Sequence, residues 1–164
     1  MKTLSLFWKI TTLRESPEQL RVSKEIFLLA LLANFFVSVS LNLMHEALFS
    51  STMLSLLECF TVATLTAAIL IYVNKIERLW KTLAALMGAG AIIGLFAYLM
   101  LTFVPISQML IFRLTILLWN LSAIAKILSH TLEIRFNQAF FITIGYAFCL
   151  WQILSFFYPI ITAQ

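Results

Sequence analysis

The chain has 164 residues, of which 62% are hydrophobic and only 11% charged. A water-soluble domain is about half apolar and about a quarter charged, so this composition excludes a soluble globular domain and points to lipid as the solvent. The net charge of +4 does not mark a nucleic-acid binder, because the basic residues flank hydrophobic runs and form no patch of their own; they suit anionic lipid headgroups instead.

Residues 1–25 read as a cytoplasmic leader. Within it, residues 2–14 fit an amphipathic interfacial helix. Lys2, Ser5, Lys9 and Thr12 fall on one strip, while Leu4, Leu6, Phe7, Trp8, Ile10 and Leu13 fill most of the remainder. Such a helix lies either at the headgroup level or against the cytoplasmic end of the protein itself. Ser16-Pro17-Glu18-Gln19 is a restart signal: a capping serine, a proline at the first helical position and a glutamine at capping-box spacing.

Five apolar runs follow at 26–44, 52–73, 79–103, 109–128 and 139–158, each near the roughly 20 residues a bilayer core requires. They define an all-α transmembrane domain over 26–160, a bundle of five helices, with 161–164 as a short outer tail. No Gly/Ser- or Pro-rich linker divides it. Ser38-Val39-Ser40 mimics a signal-peptidase site, but about 25 charged-leader residues precede the apolar core, too many for a signal-peptide n-region; the first run is expected to remain as a span. Short loops predict that consecutive helices are antiparallel neighbours. Ten of the eleven Lys and Arg residues fall on one side: five in the leader, three at Lys75, Arg78 and Lys81, and two at Lys126 and Arg135. This bias predicts a bacterial inner-membrane protein with its N-terminus cytoplasmic and its C-terminus outside.

The fourth run is expected to organise the others, because it alone carries Arg113, Asn120, Lys126 and His130 through or beside the membrane. Glu58 lies about six residues into the second span and Arg113 about four into the fourth from the same side, so their depths differ by only a few ångströms at about 1.5 Å rise per residue. An isolated charge in lipid is expensive, and a Glu58–Arg113 ion pair follows. Such a pair either serves a proton- or ion-coupled site or simply packs the helices. A third possibility is that Arg113 snorkels to the outer headgroups. A single acid without a second titratable partner favours the structural roles.

Asn34, Ser38 and Asn42 recur every four residues on one face of the first span, and Asn120 shares a face of the fourth with Arg113. Hydrogen bonds between helices are the favoured role for both sets. Gly90 and Gly94 form a GxxxG in the third span, suited to close helix approach, within the bundle or in a homodimer. Lys126, His130 and Glu133 are expected to share a face where the fourth helix leaves the membrane, forming a polar cluster with too few ligands for a metal. His45-Glu46 reads as a solvated pair. Cys59 and Cys149 lie in apolar runs and read as small hydrophobes. No nucleophile–base motif, P-loop or dinucleotide fingerprint occurs, so neither catalysis nor a cofactor is expected.

Several short stretches carry a resemblance: Leu13-Arg14-Glu15-Ser16-Pro17-Glu18-Gln19-Leu20, residues 82–94, Leu118-Trp119-Asn120-Leu121, and Ile127-Leu128-Ser129-His130-Thr131-Leu132-Glu133. On these the chain resembles small bacterial members of the Yip-type superfamily. The resemblance implies five helices, a cytoplasmic N-terminus and no catalytic site. It carries over no functional residues, and the chain lacks the longer leader of the eukaryotic members, which act in vesicle trafficking with small GTPases.

The expected function is therefore that of a non-enzymatic scaffold, assembly or membrane-organisation factor, with membrane lipid and a protein partner or second copy as its contacts. The alternative is a small transporter or channel subunit using the intramembrane polar residues. Whether those polar faces meet at a cavity or at dry helix contacts separates the two.

Overall fold

The computed structural model describes Trp8, Thr11 and residues 24–103 and 109–162. Among them are five long helices: α1 (Lys24–Asn42), α2 (Leu48–Tyr72), α3 (Leu79–Phe103), α4 (Met109–Leu132) and α5 (Phe136–Thr162), with one 3-10 turn at Ile76–Arg78 before α3. All five are long and apolar enough to cross a bilayer, and the chain is an all-helical multi-pass membrane protein. The helix expected over 2–14 and the capping box at 16–19 lie outside the described residues, except for Trp8 and Thr11.

The helices do not pack simply in chain order. The strongest interface joins α1 to α3, which run parallel, and the ring closes through α4, α5 and α2 back to α1; α2 and α3, although consecutive, touch far less. Consecutive helices are neighbours throughout, as expected, but the α2–α3 contact is the weakest of them. Small residues explain the change of partner. A Cβ added to Gly94 would lie 2.7 Å from Cγ1 of Val37, and one on Gly90 would lie 2.5 Å from Oδ1 of Asn34. The GxxxG is thus used inside the bundle, where it brings α1 hard against α3.

The most enclosed helix is α3, not α4. Half of its apolar window is buried, against 17% for α4 and 33% for α2, and residues 82–89 are buried without interruption. Its run of Ala and Gly suits this place, since small side chains let three neighbours approach one helix. The polar content of α4 was a poor guide to centrality because most of it lies near the helix ends or faces outward.

Two apolar cores hold the ring. One joins Ala30, Cys59, Met87, Ala89 and Ile127 across four helices. The other joins Leu70, Leu128, Leu132 and Ala139 near the end that carries Lys75 and Arg78, called here the basic end. Beside Phe96 and Trp119 the N-terminal leader meets the bundle: the Trp8 and Phe96 rings are 5.6 Å apart, and Trp119 Nε1 donates to the Thr11 carbonyl at 2.8 Å. At these two residues the leader packs on protein, but not at the cytoplasmic end: Phe96 lies 17 residues along α3 from Leu79 and Trp119 lies 13 residues before the end of α4 at Leu132, so both contacts fall well inside the bundle's length.

Candidate functional site: a polar centre inside the helix ring

The stripe on α1 meets α2 rung by rung. Asn42 Nδ2 donates to Ser55 Oγ at 3.1 Å, Ser38 Oγ donates to Glu58 Oε2 at 2.5 Å, and Asn34 Nδ2 points at the sulfurs of Cys59 (3.8 Å) and Met87 (3.5 Å). Residues spaced by four on α1 descend one face, and an antiparallel α2 presents its partners in reverse order. The predicted role of the stripe in joining helices holds. Its lowest rung is weak, because sulfur is a poor acceptor.

The Glu58–Arg113 ion pair does not form. Glu58 takes its hydrogen bond from Ser38, while Lys75 and Arg78 pair with Glu133 at the basic end. The reason is depth. α2 begins at Leu48, four residues before the run expected from hydropathy, so Glu58 lies ten residues inside its helix while Arg113 lies four residues inside α4. At about 1.5 Å per residue that separates them by about 9 Å along the bundle. Arg113 is exposed on the bundle's outside. It lines a neighbouring groove of about 280 Å³ with Met100, Phe112 and Ile116, which shares Asn120 with the polar centre.

Two cavities meet at the polar centre. One, of about 280 Å³, extends along α1, α3 and α4 toward the far end, as far as Leu41, Asn42 and Ala97. The other, of about 250 Å³, is lined by all five helices and extends the opposite way past Val62, Leu86 and Ile124, with Tyr146 and Leu150 from α5. Four residues line both: Asn34, Glu58, Gly90 and Asn120. Three of the four polar side chains singled out from sequence are therefore brought together, and Arg113 is left outside. Gly90 does more than allow packing, since its missing Cβ is the space the Asn34 carboxamide fills. Tyr146, whose hydroxyl donates to the Val62 carbonyl at 3.4 Å, was not anticipated; a tyrosine near the middle of the fifth span, with its hydroxyl in need of a partner, is the signal that would have found it.

A second polar cluster, at the basic end, is built differently from expectation. Glu133 does not continue the α4 face of Lys126 and His130, because α4 ends at Leu132 and Glu133 turns into the left-handed region at φ 59°. Its carboxylate instead pairs with Lys75 at 2.7 Å and Arg78 at 2.5 Å. The same two cations donate to the last carbonyls of α4, Lys75 to Leu132 (3.1 Å) and Arg78 to Thr131 (3.2 Å), where cations complement the helix dipole. Hydrogen bonds and charge from Lys75 and Arg78 hold the Glu133 carboxyl below the usual carboxylate range. At the far end, Glu46 accepts from the exposed Tyr158 hydroxyl of α5.

Comparison with family models, with curated proteins and with solved structures finds no match for this chain.

Proposed function

We propose that this chain is a small transporter or channel subunit whose working site is the intramembrane centre Asn34, Glu58 and Asn120. The observation that carries it is the convergence of these three side chains, from three helices, on two cavities that extend in opposite directions along the bundle. A carboxylate facing cavity space in a membrane-spanning helix is costly unless it handles charge or a polar solute. The Yip-type resemblance adds no functional residue to that centre; of the GxxxG, Gly90 adds the space that the Asn34 carboxamide fills. The placement of Lys and Arg supports a bacterial inner membrane, an N-terminus in the cytoplasm and a C-terminus outside.

Water access tests the proposal. In a variant lacking Cys59 and Cys149, Asn120→Cys is treated with a membrane-impermeant thiol reagent in right-side-out and inverted vesicles. Labelling from at least one face, approaching that of the denatured protein, is expected. If Cys at 120 reacts from neither face while the denatured protein reacts fully, the polar groups are dry helix contacts. The chain is then the non-enzymatic scaffold or assembly factor, acting through lipid and helix contacts.

A further inference from the structure

The polar centre has one acid and no base. No Lys or Arg among the described residues pairs with Glu58, and the hydrogen bond its carboxylate takes there comes from the uncharged Ser38. A lone carboxylate inside a bundle must be neutralised, either by a proton or by a bound cation. Resting on the transport proposal above, we infer that the centre binds a primary organic ammonium ion in exchange for the Glu58 proton.

The acceptors select the class. Asn34 donates both of its hydrogen bonds, to Cys59 and Met87, which leaves its carbonyl oxygen without a donor among the described residues. Asn120 lines both cavities and its carboxamide is likewise unengaged there. Glu58 Oε1 takes no hydrogen bond among the described residues, since Ser38 donates to Oε2. Three acceptor groups on three helices match the three N–H donors of an ammonium. A hard metal ion asks for about six or more oxygens, which these side chains do not supply. The rest of the five-helix cavity is apolar, with Val62, Leu86, Leu121 and Ile124 around it and Met87 and Tyr146 beside the centre. That lining suits the hydrocarbon body of an amine, and a Tyr face favours a cation.

The exchange balances: a protonated Glu58 releases H⁺ as R–NH₃⁺ enters, and the centre keeps its net charge. The titratable groups around Glu58 are Cys59 on its own helix and Tyr146 from α5. The cavity-lining residues of α1, α3 and α4 carry no charge: their polar side chains are Asn34, Ser38, Asn42 and Asn120. Arg113 lies in the neighbouring groove that shares Asn120.

Calorimetry on the full chain in nanodiscs tests this with benzylammonium as probe and benzyl alcohol as its neutral counterpart. Benzylammonium is expected to bind with release of close to one proton, read from buffers of different ionisation enthalpy, and with affinity rising as pH rises. Glu58→Asp should keep the proton release, and Glu58→Gln should lose binding at least a hundredfold. Gly90→Ala, which displaces the Asn34 carboxamide without touching Glu58, should weaken binding several-fold with the fold intact by circular dichroism. The inference is overturned if the amine fails to bind, if benzyl alcohol binds as well, or if no proton is released. Failure here with position 120 still open to water removes the ligand class and leaves the transport proposal; failure of both removes both.

Discussion

The two polar clusters of this protein solve the same electrostatic problem in opposite ways. At the basic end, Glu133 is more than half exposed, at 56%, and meets two cations on the neighbouring loop. In the middle of the ring, Glu58 meets a serine and two cavities. The first arrangement is a latch: water screens its ion pairs, so each adds little stability, but together with the carbonyl contacts they position the α2–α3 loop against the end of α4. The second leaves its carboxylate without a cation among the described residues, and the exchange proposed above rests on that incompleteness. Completeness of pairing separates the two clusters.

The largest effect expected bears on the seam that holds the centre together. Gly94→Ala gains about 0.5–1 kcal/mol of helix propensity but drives a Cβ into the stiff Val37 side chain, an overpacking that costs about 1–3 kcal/mol. The net should be a lower melting temperature in detergent. Gly90→Ala should behave differently, because the atom in the way is the tip of a rotatable Asn34 side chain whose own bonds are to sulfur. Its melting temperature should stay level or rise slightly. Equal destabilisation at both positions would mean that Asn34 is held as firmly as Val37, and the centre would count as structural.

Ser38→Ala removes the protein's hydrogen bond to Glu58, and interhelical bonds of this kind contribute about 0.6 kcal/mol on average. A loss well above about 1.7 kcal/mol would show that Ser38 holds the bundle together and would erase the contrast with the latch.

Glu133→Gln should lower the melting temperature slightly at neutral pH and hardly at all in strong acid. The Glu133 carboxyl is held below its unfolded value of about 4.3, so its contribution is complete above that value and is lost as pH falls through the lowered one. Melting curves of wild type and variant should converge on acidification, whereas a constant gap would assign the effect to the left-handed backbone at φ 59°. The smallest effect belongs to Arg113→Gln, within about 0.5 kcal/mol, because Arg113 is exposed and pairs with no carboxylate among the described residues. A large loss there would restore the Glu58–Arg113 pair.

Sequence alone determined the solvent, the number of helices and the stock of polar groups available inside them. Hydropathy over about 20 residues is a local property with a large free energy behind it, so five spans were legible without any partner being known. The same holds for the α1 stripe, whose spacing of four shows a shared face. Who meets whom was decided by the tertiary structure. Glu58 met Ser38 and missed Arg113 because α2 starts four residues earlier than its apolar run. Glu133 met Lys75 and Arg78 because one left-handed residue turns it off the α4 face. α1 chose α3 over a purely sequential neighbour because two glycines let it come closer. Depth, rotation and partner choice depend on side-chain contacts between segments far apart in the chain, and lipid, which is as apolar as the helices, does nothing to choose among them.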